Sequence, residues 1–269
     1  HSGTMGDKAI YHYNVPAGSA GQSQIAQDFN RDGVVVIPGF ASAEEVKGMK
    51  DRMQQLIEQW DPSLSKGSVF HTYGNKNIRE DYFLESASTV RFFLEPGAVD
   101  DTGEVRTDLP KGEMINKVGH ALHFLDPVFS EYAQSDKIKQ IVKDLGYVDP
   151  VLPQSMYIFK QGKIGAEVTA HQDSTYLYTT PHQTCLGMWL ALDDADVHNG
   201  CLWARKGSHM EPLRSLFKRT TDENGKMVLR NCPIEDNGDE EGSVGHRARE
   251  WVNIIPGGVV DYCEESVKH

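Results

Sequence analysis

Residues 167–178 read EVTAHQDSTYLY, and the centre of that stretch, His171-Gln172-Asp173, decides how the rest of the chain is read. In an extended segment, residues two apart project to the same side. His171 and Asp173 can therefore aim an imidazole nitrogen and a carboxylate oxygen at one point, a donor set suited to a borderline divalent cation. Val168, Tyr176, Leu177 and Tyr178 are strand formers, which puts the pair at a strand end beside a loop. Alone, a His-x-Asp pair is common on surface strands. Joined by a second His, it becomes the two-His, one-carboxylate set of non-haem Fe(II) oxygenases. Gln172 alternates to the opposite side and is read as structural, or as support for a ligand.

Outward from this stretch, composition sets limits. A chain of 269 residues can bury a large single core. Its formal net charge of −12, from 39 acidic and 27 basic residues, argues against a nucleic-acid or anionic-membrane partner. No run of about 18 apolar residues is present, so no membrane span is expected. No secretory signal opens the sequence. The first residues, HSGTM, read as an expression-tag remnant with Met5 as the native start. Cys185, Cys201, Cys232 and Cys263 are widely spaced and form no CxxC pair. They read as reduced thiols, Cys185 and Cys201 in the core, rather than a disulfide or zinc framework. A cytoplasmic location follows as the expectation, with a peroxisomal one left open.

Residues 1–22 read as the tag remnant and a flexible arm, and 23–269 as a single domain. Within it, 23–150 is mostly helical support. Helices are expected over 22–30, over 42–60 and over 136–145, the last closing at Gly146, with another starting at Asp126-Pro127. The second opens on the capping box Ser42…Glu45 and carries Val46, Met49, Met53, Leu56, Ile57 and Trp60 on one stripe. Residues 33–40 read as a short apolar strand, 61–112 as irregular, and 100–112 as a turn. From 151 the texture changes. Strand-like runs at 153–160, 166–170, 184–192, 200–204 and 252–260 recur between turns, with Asn199-Gly200 a tight-turn signal. Residues 205–250 read as a long polar excursion. The fold expected is mainly β, a double-stranded β-helix or jelly-roll barrel over 151–269 with the helical section packed on it.

A third ligand should come from a late strand of such a barrel. Five histidines follow Asp173: His182, His198, His209, His246 and His269. His182 and His198 sit in turn-like contexts, His209 in Gly207-Ser208-His209, and His246 in the polar excursion. His269 follows Pro256-Gly257-Gly258-Val259-Val260, a turn entering a late strand.

Several stretches in fixed order resemble the phytanoyl-CoA dioxygenase family of Fe(II)/2-oxoglutarate oxygenases. They are DGVVVIPGF at 32–40, INKVGHALH at 115–123, DPVF at 126–129, QSMYIFK at 154–160, HQD at 171–173, GMWLALDDA at 187–195, NGCLW at 199–203 and GSH at 207–209. The resemblance implies that His171, Asp173 and His269 hold Fe(II), and that Lys117, Met156 and Trp189 line the pocket for 2-oxoglutarate. Lys117 offers a cation to a carboxylate; Met156 and Trp189 offer apolar walls. Outside the resemblance these three read as surface cation, strand filler and core. The implied reaction uses O2 and 2-oxoglutarate, with ascorbate as a supporting reductant, releases succinate and CO2, and hydroxylates a small-molecule or lipid-like substrate. The sequence has no basic cluster for a nucleotide diphosphate, so it does not require a CoA thioester. Two departures stand out. Lys206 stands where the family usually has proline. The family also places an Arg beyond the last His ligand, so the natural chain is expected to continue past His269 with that Arg.

Three rival readings remain: a catalytically silent metal-binding scaffold, a cupin-like metalloenzyme of other chemistry, and an interaction module. Jelly rolls host many chemistries. The His-x-Asp pair, where cupins usually present His-x-His, favours the oxygenase.

Overall fold

The computed structural model describes residues 23–70, 80–165, 167–168, 170–180, 183–223, 225, 227–234, 251–255 and 258–261, with 80, 81, 227 and the last two segments described by their backbone alone. They fall into two compact units. One is built from 40–143 and 147–169; the other takes the described residues up to 39, residues 144–146 and those from 170 onward.

Helix α1 (Gln24–Asp32) opens on Ser23, whose hydroxyl accepts the Ala26 N–H. It closes on Gly33 at φ 76°, where a side chain would be strained. The strand expected over 33–40 is not formed: the chain leaves Gly33 without ladder partners and turns at Pro38-Gly39. Val34, Val35, Val36 and Ile37 have strand propensity, but a strand exists through its neighbour, and none of the described strands pairs with this run. The Gly207 N–H instead donates to the Asp32 carbonyl at 2.6 Å.

Gly33 also touches His209. A Cβ on Gly33 would fall 2.3 Å from His209 Nδ1 and 2.6 Å from Cγ. His209 Nε2 lies 3.0 Å from the Asn30 carbonyl in the last turn of α1, where a donor is favourable. Two motifs far apart in sequence thus meet at one helix end. Gly33→Ala should therefore cost about 2–3 kcal/mol, from the left-handed backbone and the clash together. Urea denaturation checks this; an unshifted midpoint would mean that the loop yields freely.

In the other unit, α2 (Ala43–Gln59) forms as expected, with the full capping box on Ser42 and Glu45, and buries Met49, Met53 and Ile57. Trp60 stacks on Phe92 with ring centroids 4.8 Å apart. Its indole donates to Ser65 Oγ at 3.1 Å. The described parts of 61–112 hold more regular structure than the polar composition suggests. They contain α3 (Glu80–Glu85) and strand β1 (Val90–Leu94). Strand β2 (Ile115–His120) pairs antiparallel with β1 on one side and with β3 (Ser155–Ile158) on the other. Between β2 and β3 lie α4 (Leu122–Leu125), α5 (Pro127–Ala133) and α6 (Asp136–Asp144). Asp126 caps α5, accepting from the Val128 N–H at 3.1 Å, and its other oxygen takes Arg52 Nε at 2.7 Å. That contact pins α5 to α2. The chain after α6 turns through Gly146 at φ 88°, as expected.

The register of this sheet sorts its side chains. Phe92 opposes Val118, which opposes Tyr157; Phe93 opposes Lys117, which opposes Ile158; Gly119 opposes Met156. Directly opposed residues share a face and successive ones alternate. Phe92, Val118 and Tyr157 therefore face the core with Met53, Ile57 and Trp60. Phe93, Lys117 and Met156 take the reverse face.

In the unit from residue 170 onward, β4 (Leu202–Arg205) belongs to a second three-stranded sheet, and β5 (Ser215–Thr221) pairs with β6 (Met227–Pro233). β7 (Trp251–Ile255) pairs with β4 and with β8 (Gly258–Asp261), completing the sheet to which β4 belongs. The β5–β6 hairpin lies in the expected polar excursion. Its strands read as polar because only part of one face is covered: Leu216 is buried while Lys218 and Arg219 are exposed. The strand expected over 184–192 is not formed; of 166–170, residues 166 and 169 lie outside the described set. The structure thus joins β-sheets to helices concentrated before residue 150, while the ladders among the described residues make three separate open sheets rather than a closed barrel. Among the described residues, no helix is long and apolar enough to cross a membrane.

Candidate functional site

His171 and Asp173 converge without a strand. Gln172 is extended (φ −104°, ψ 131°), and Asp173 starts a short 3-10 helix, Asp173–Thr175. One extended residue between them is enough to put both side chains on the same side: His171 Nε2 and Asp173 Oδ1 lie 3.4 Å apart, each side chain about half exposed. Donors in adjacent positions around a cation with bonds of ~2.1 Å are about 3 Å apart, so the pair fits a shared divalent ion. Gln172 points the other way, donating from Nε2 to the carbonyls of Ser208 at 3.4 Å and Glu211 at 3.3 Å. The missing side chain of Gly187 leaves room for the carboxylate; a Cβ there would sit 3.2 Å from Asp173 Oδ2. Cys185 is partly buried beside it, and its thiol is pushed up to about 11 by burial and then by the charge of Asp173. Cys201 is buried, as expected.

The other histidines sort by position. His209 serves the end of α1 and its ring is held there by the Asn30 carbonyl. His198 lies in an exposed turn, its backbone N–H bonded to Asp196 Oδ1 at 2.7 Å. His182, His246 and His269 lie outside the described residues, and so does Cys263. Among the described residues, no group of three or more His, Cys, Asp or Glu is placed to hold a metal ion. Trp189 lies in the same unit as His171 and Asp173 and is 43% exposed.

Lys117 and Met156 sit together on the reverse face of the β1–β2–β3 sheet. Lys117 is only 7% exposed, against the surface position its type suggests. Its ammonium lies 3.3 Å from the Phe70 ring centroid, 5.5 Å from Phe93 and 6.0 Å from Phe83. No carboxylate among the described residues pairs with it. Burial pulls the ammonium down to about 7. The Met156 chain passes over Gly119, its Cγ 3.2 Å from where a Cβ would be.

Two residues in this region escaped the reading of the sequence. His120 Nδ1 lies 2.7 Å from Ser86 Oγ. Its ring centroid is 5.4 Å from both Phe83 and Phe93. Burial, with the charge of Lys117, pulls the imidazole down to about 4. Lys117 and His120 are three apart on a strand, a spacing that does not suggest a shared side. Only the tertiary placement of Phe83 and Phe93 reveals it.

Residues 29–246 match the family model described as phytanoyl-CoA dioxygenase (PhyH). A phytanoyl-CoA dioxygenase of Arabidopsis thaliana is 47% identical over 191 residues, spanning 71% of this chain and 66% of that protein. Phytanoyl-CoA dioxygenase 1 of Oryza sativa subsp. japonica is 45% identical over 204 residues, 76% of this chain and 70% of its own. The phytanoyl-CoA dioxygenase domain-containing protein 1 homolog of Caenorhabditis elegans is 42% identical over 209 residues, 77% and 72% of the two chains. The matched region takes in the His171–Asp173 pair, the Lys117 chamber and the contact between Gly33 and His209, and on that extent of similarity the chain belongs to the phytanoyl-CoA dioxygenase family.

Proposed function

We propose that this chain is an Fe(II)- and 2-oxoglutarate-dependent dioxygenase on a jelly-roll frame, hydroxylating a small-molecule or lipid-like substrate with release of succinate and CO2. His171, Asp173 and His269 hold the metal; Lys117, Met156 and Trp189 line the cosubstrate pocket. Residues 23–269 act as one oxygenase domain in the cytoplasm. When bound, Fe(II) supplies oxygen activation coupled to the decarboxylation of 2-oxoglutarate. The observation that carries the reading is the convergence of His171 Nε2 and Asp173 Oδ1 at 3.4 Å.

The protein's own residues have defined tasks. Gln172, bonded to Ser208 and Glu211, keeps the two ligands turned to the same side. Gly187 keeps the space beside Asp173 open. Lys117 presents a largely buried ammonium that no carboxylate among the described residues pairs with, and a ligand carboxylate satisfies it. Met156, on the same face, supplies an adaptable apolar wall.

Incubation with Fe(II), O2, ascorbate and 2-oxoglutarate, without a prime substrate, should give slow uncoupled succinate formation, read by mass spectrometry. A protein that binds metal stoichiometrically yet forms no succinate is the silent scaffold instead.

A further inference from the structure

His120 and Lys117 both project from β2 into the space walled by Phe83 and Phe93, and both are more than nine-tenths buried. The hydroxyl of Ser86 donates to the Phe83 carbonyl. A hydroxyl has one proton to give, so Ser86 Oγ must accept from His120 Nδ1–H at 2.7 Å. That settles the tautomer: Nε2 carries the lone pair. Among the described residues, nothing hydrogen-bonds to Nε2. The chamber therefore holds two nitrogens on largely buried side chains, the Lys117 ammonium and His120 Nε2, that no described residue hydrogen-bonds, and neither is sealed off completely.

We propose that His120 and Lys117 form one anion clamp, in which His120 Nε2 takes a proton from solvent as a dicarboxylate enters and donates it to the carboxylate that Lys117 pairs with. The inference rests on the reading of Lys117 as a cosubstrate residue. Its physical basis is the sign of the local field. Without a ligand, a second cation beside Lys117 is repelled and the imidazole stays neutral. A dianion reverses that field. Ser86 Oγ accepts from Nδ1–H in either state, so the ring gains its proton without turning. The groups that face the ring are Lys117 from β2, Phe93 from β1, and Phe83 and Ser86 from α3 and the turn after it. Arg91 and Glu85 nearby are paired with each other at 2.9 Å. His120 is a positioning residue here, with no part in the reacting bonds.

The test is calorimetric titration of 2-oxoglutarate into the metal-loaded protein without oxygen, at pH 6, where Lys117 is charged and His120 neutral, in two buffers of different ionisation enthalpy. Wild type should take up about one proton more than His120→Phe, which keeps the aromatic packing. His120→Phe should bind about tenfold more weakly, the scale of a hydrogen bond to a charged group. His120→Gln, which keeps an N–H donor, should recover most of the affinity without the extra proton. In Zn(II)-loaded wild type carrying 15N-histidine, the His120 Nε2 resonance should move to the protonated range on adding 2-oxoglutarate. Equal affinity and equal proton uptake in wild type and His120→Phe, with Lys117→Met still losing binding, overturns the clamp and leaves the Lys117 reading intact. An Nε2 that stays unprotonated in the complex overturns it without any variant. Failure of wild type to bind 2-oxoglutarate overturns both.

Discussion

Replacing His171 or Asp173 by Ala should lower Fe(II) or Co(II) affinity by at least about a hundredfold and take 2-oxoglutarate turnover with it. Losing even a residue that merely supports a ligand typically costs 10–100-fold, and a ligand itself costs more. Asp173 also brings the negative charge of the pair, so its loss removes electrostatic attraction as well as a donor. The two side chains are 54% and 58% exposed. Their truncation should change folding stability by only about 0.5 kcal/mol, which keeps the experiment clean. Co(II) absorption titrations on each variant provide the measurement. Undiminished stoichiometric binding by His171→Ala would sink the metal assignment.

Lys117→Met should have two large effects of opposite sign. The cosubstrate-free protein should become more stable, and 2-oxoglutarate binding should be lost. An ammonium on a residue that is only 7% exposed, with aromatic rings for company, is costly to bury, and Met fills the space without charge. The pH dependence has a definite sign. Burial lowers the Lys117 ammonium from its ordinary 10.5 to about 7. Between those values the unfolded chain holds the proton that the folded chain releases, so stability rises with pH. That contribution is complete above 10.5 and is lost as pH falls through 7. At pH 7 the variant should therefore exceed wild type by a few kcal/mol, and the gap should narrow as pH approaches 10. Urea denaturation at three pH values reads it out. A destabilised variant at pH 7 would mean that the cation–π contacts outweigh desolvation.

Local signals located much of this protein. The capping box at Ser42 and Glu45, the stripe from Met49 to Trp60, the helix start at Asp126-Pro127 and the turn at Gly146 depend on neighbours within a few residues, and all are formed. The His171–Asp173 convergence needed only one extended residue between the two, so it survives although no strand surrounds it. Elements that depend on distant partners were less legible. The β-branched run after Gly33 has strand propensity but pairs with none of the described strands, whereas the polar β5–β6 hairpin finds its partner across a turn. Propensity cannot tell which segments meet.

The Lys117 chamber shows the same division. The resemblance read from the sequence marked Lys117 and Met156 as pocket residues, and the spacing of His171 and Asp173 let both reach one point. Only the tertiary structure decided that β2 is a central strand, with Phe70, Phe83 and Phe93 closed over Lys117 and Ser86 holding His120. Charge and donor type are written in each residue. Desolvation and proton ownership arise from what other segments bring alongside, and no local pattern encodes that.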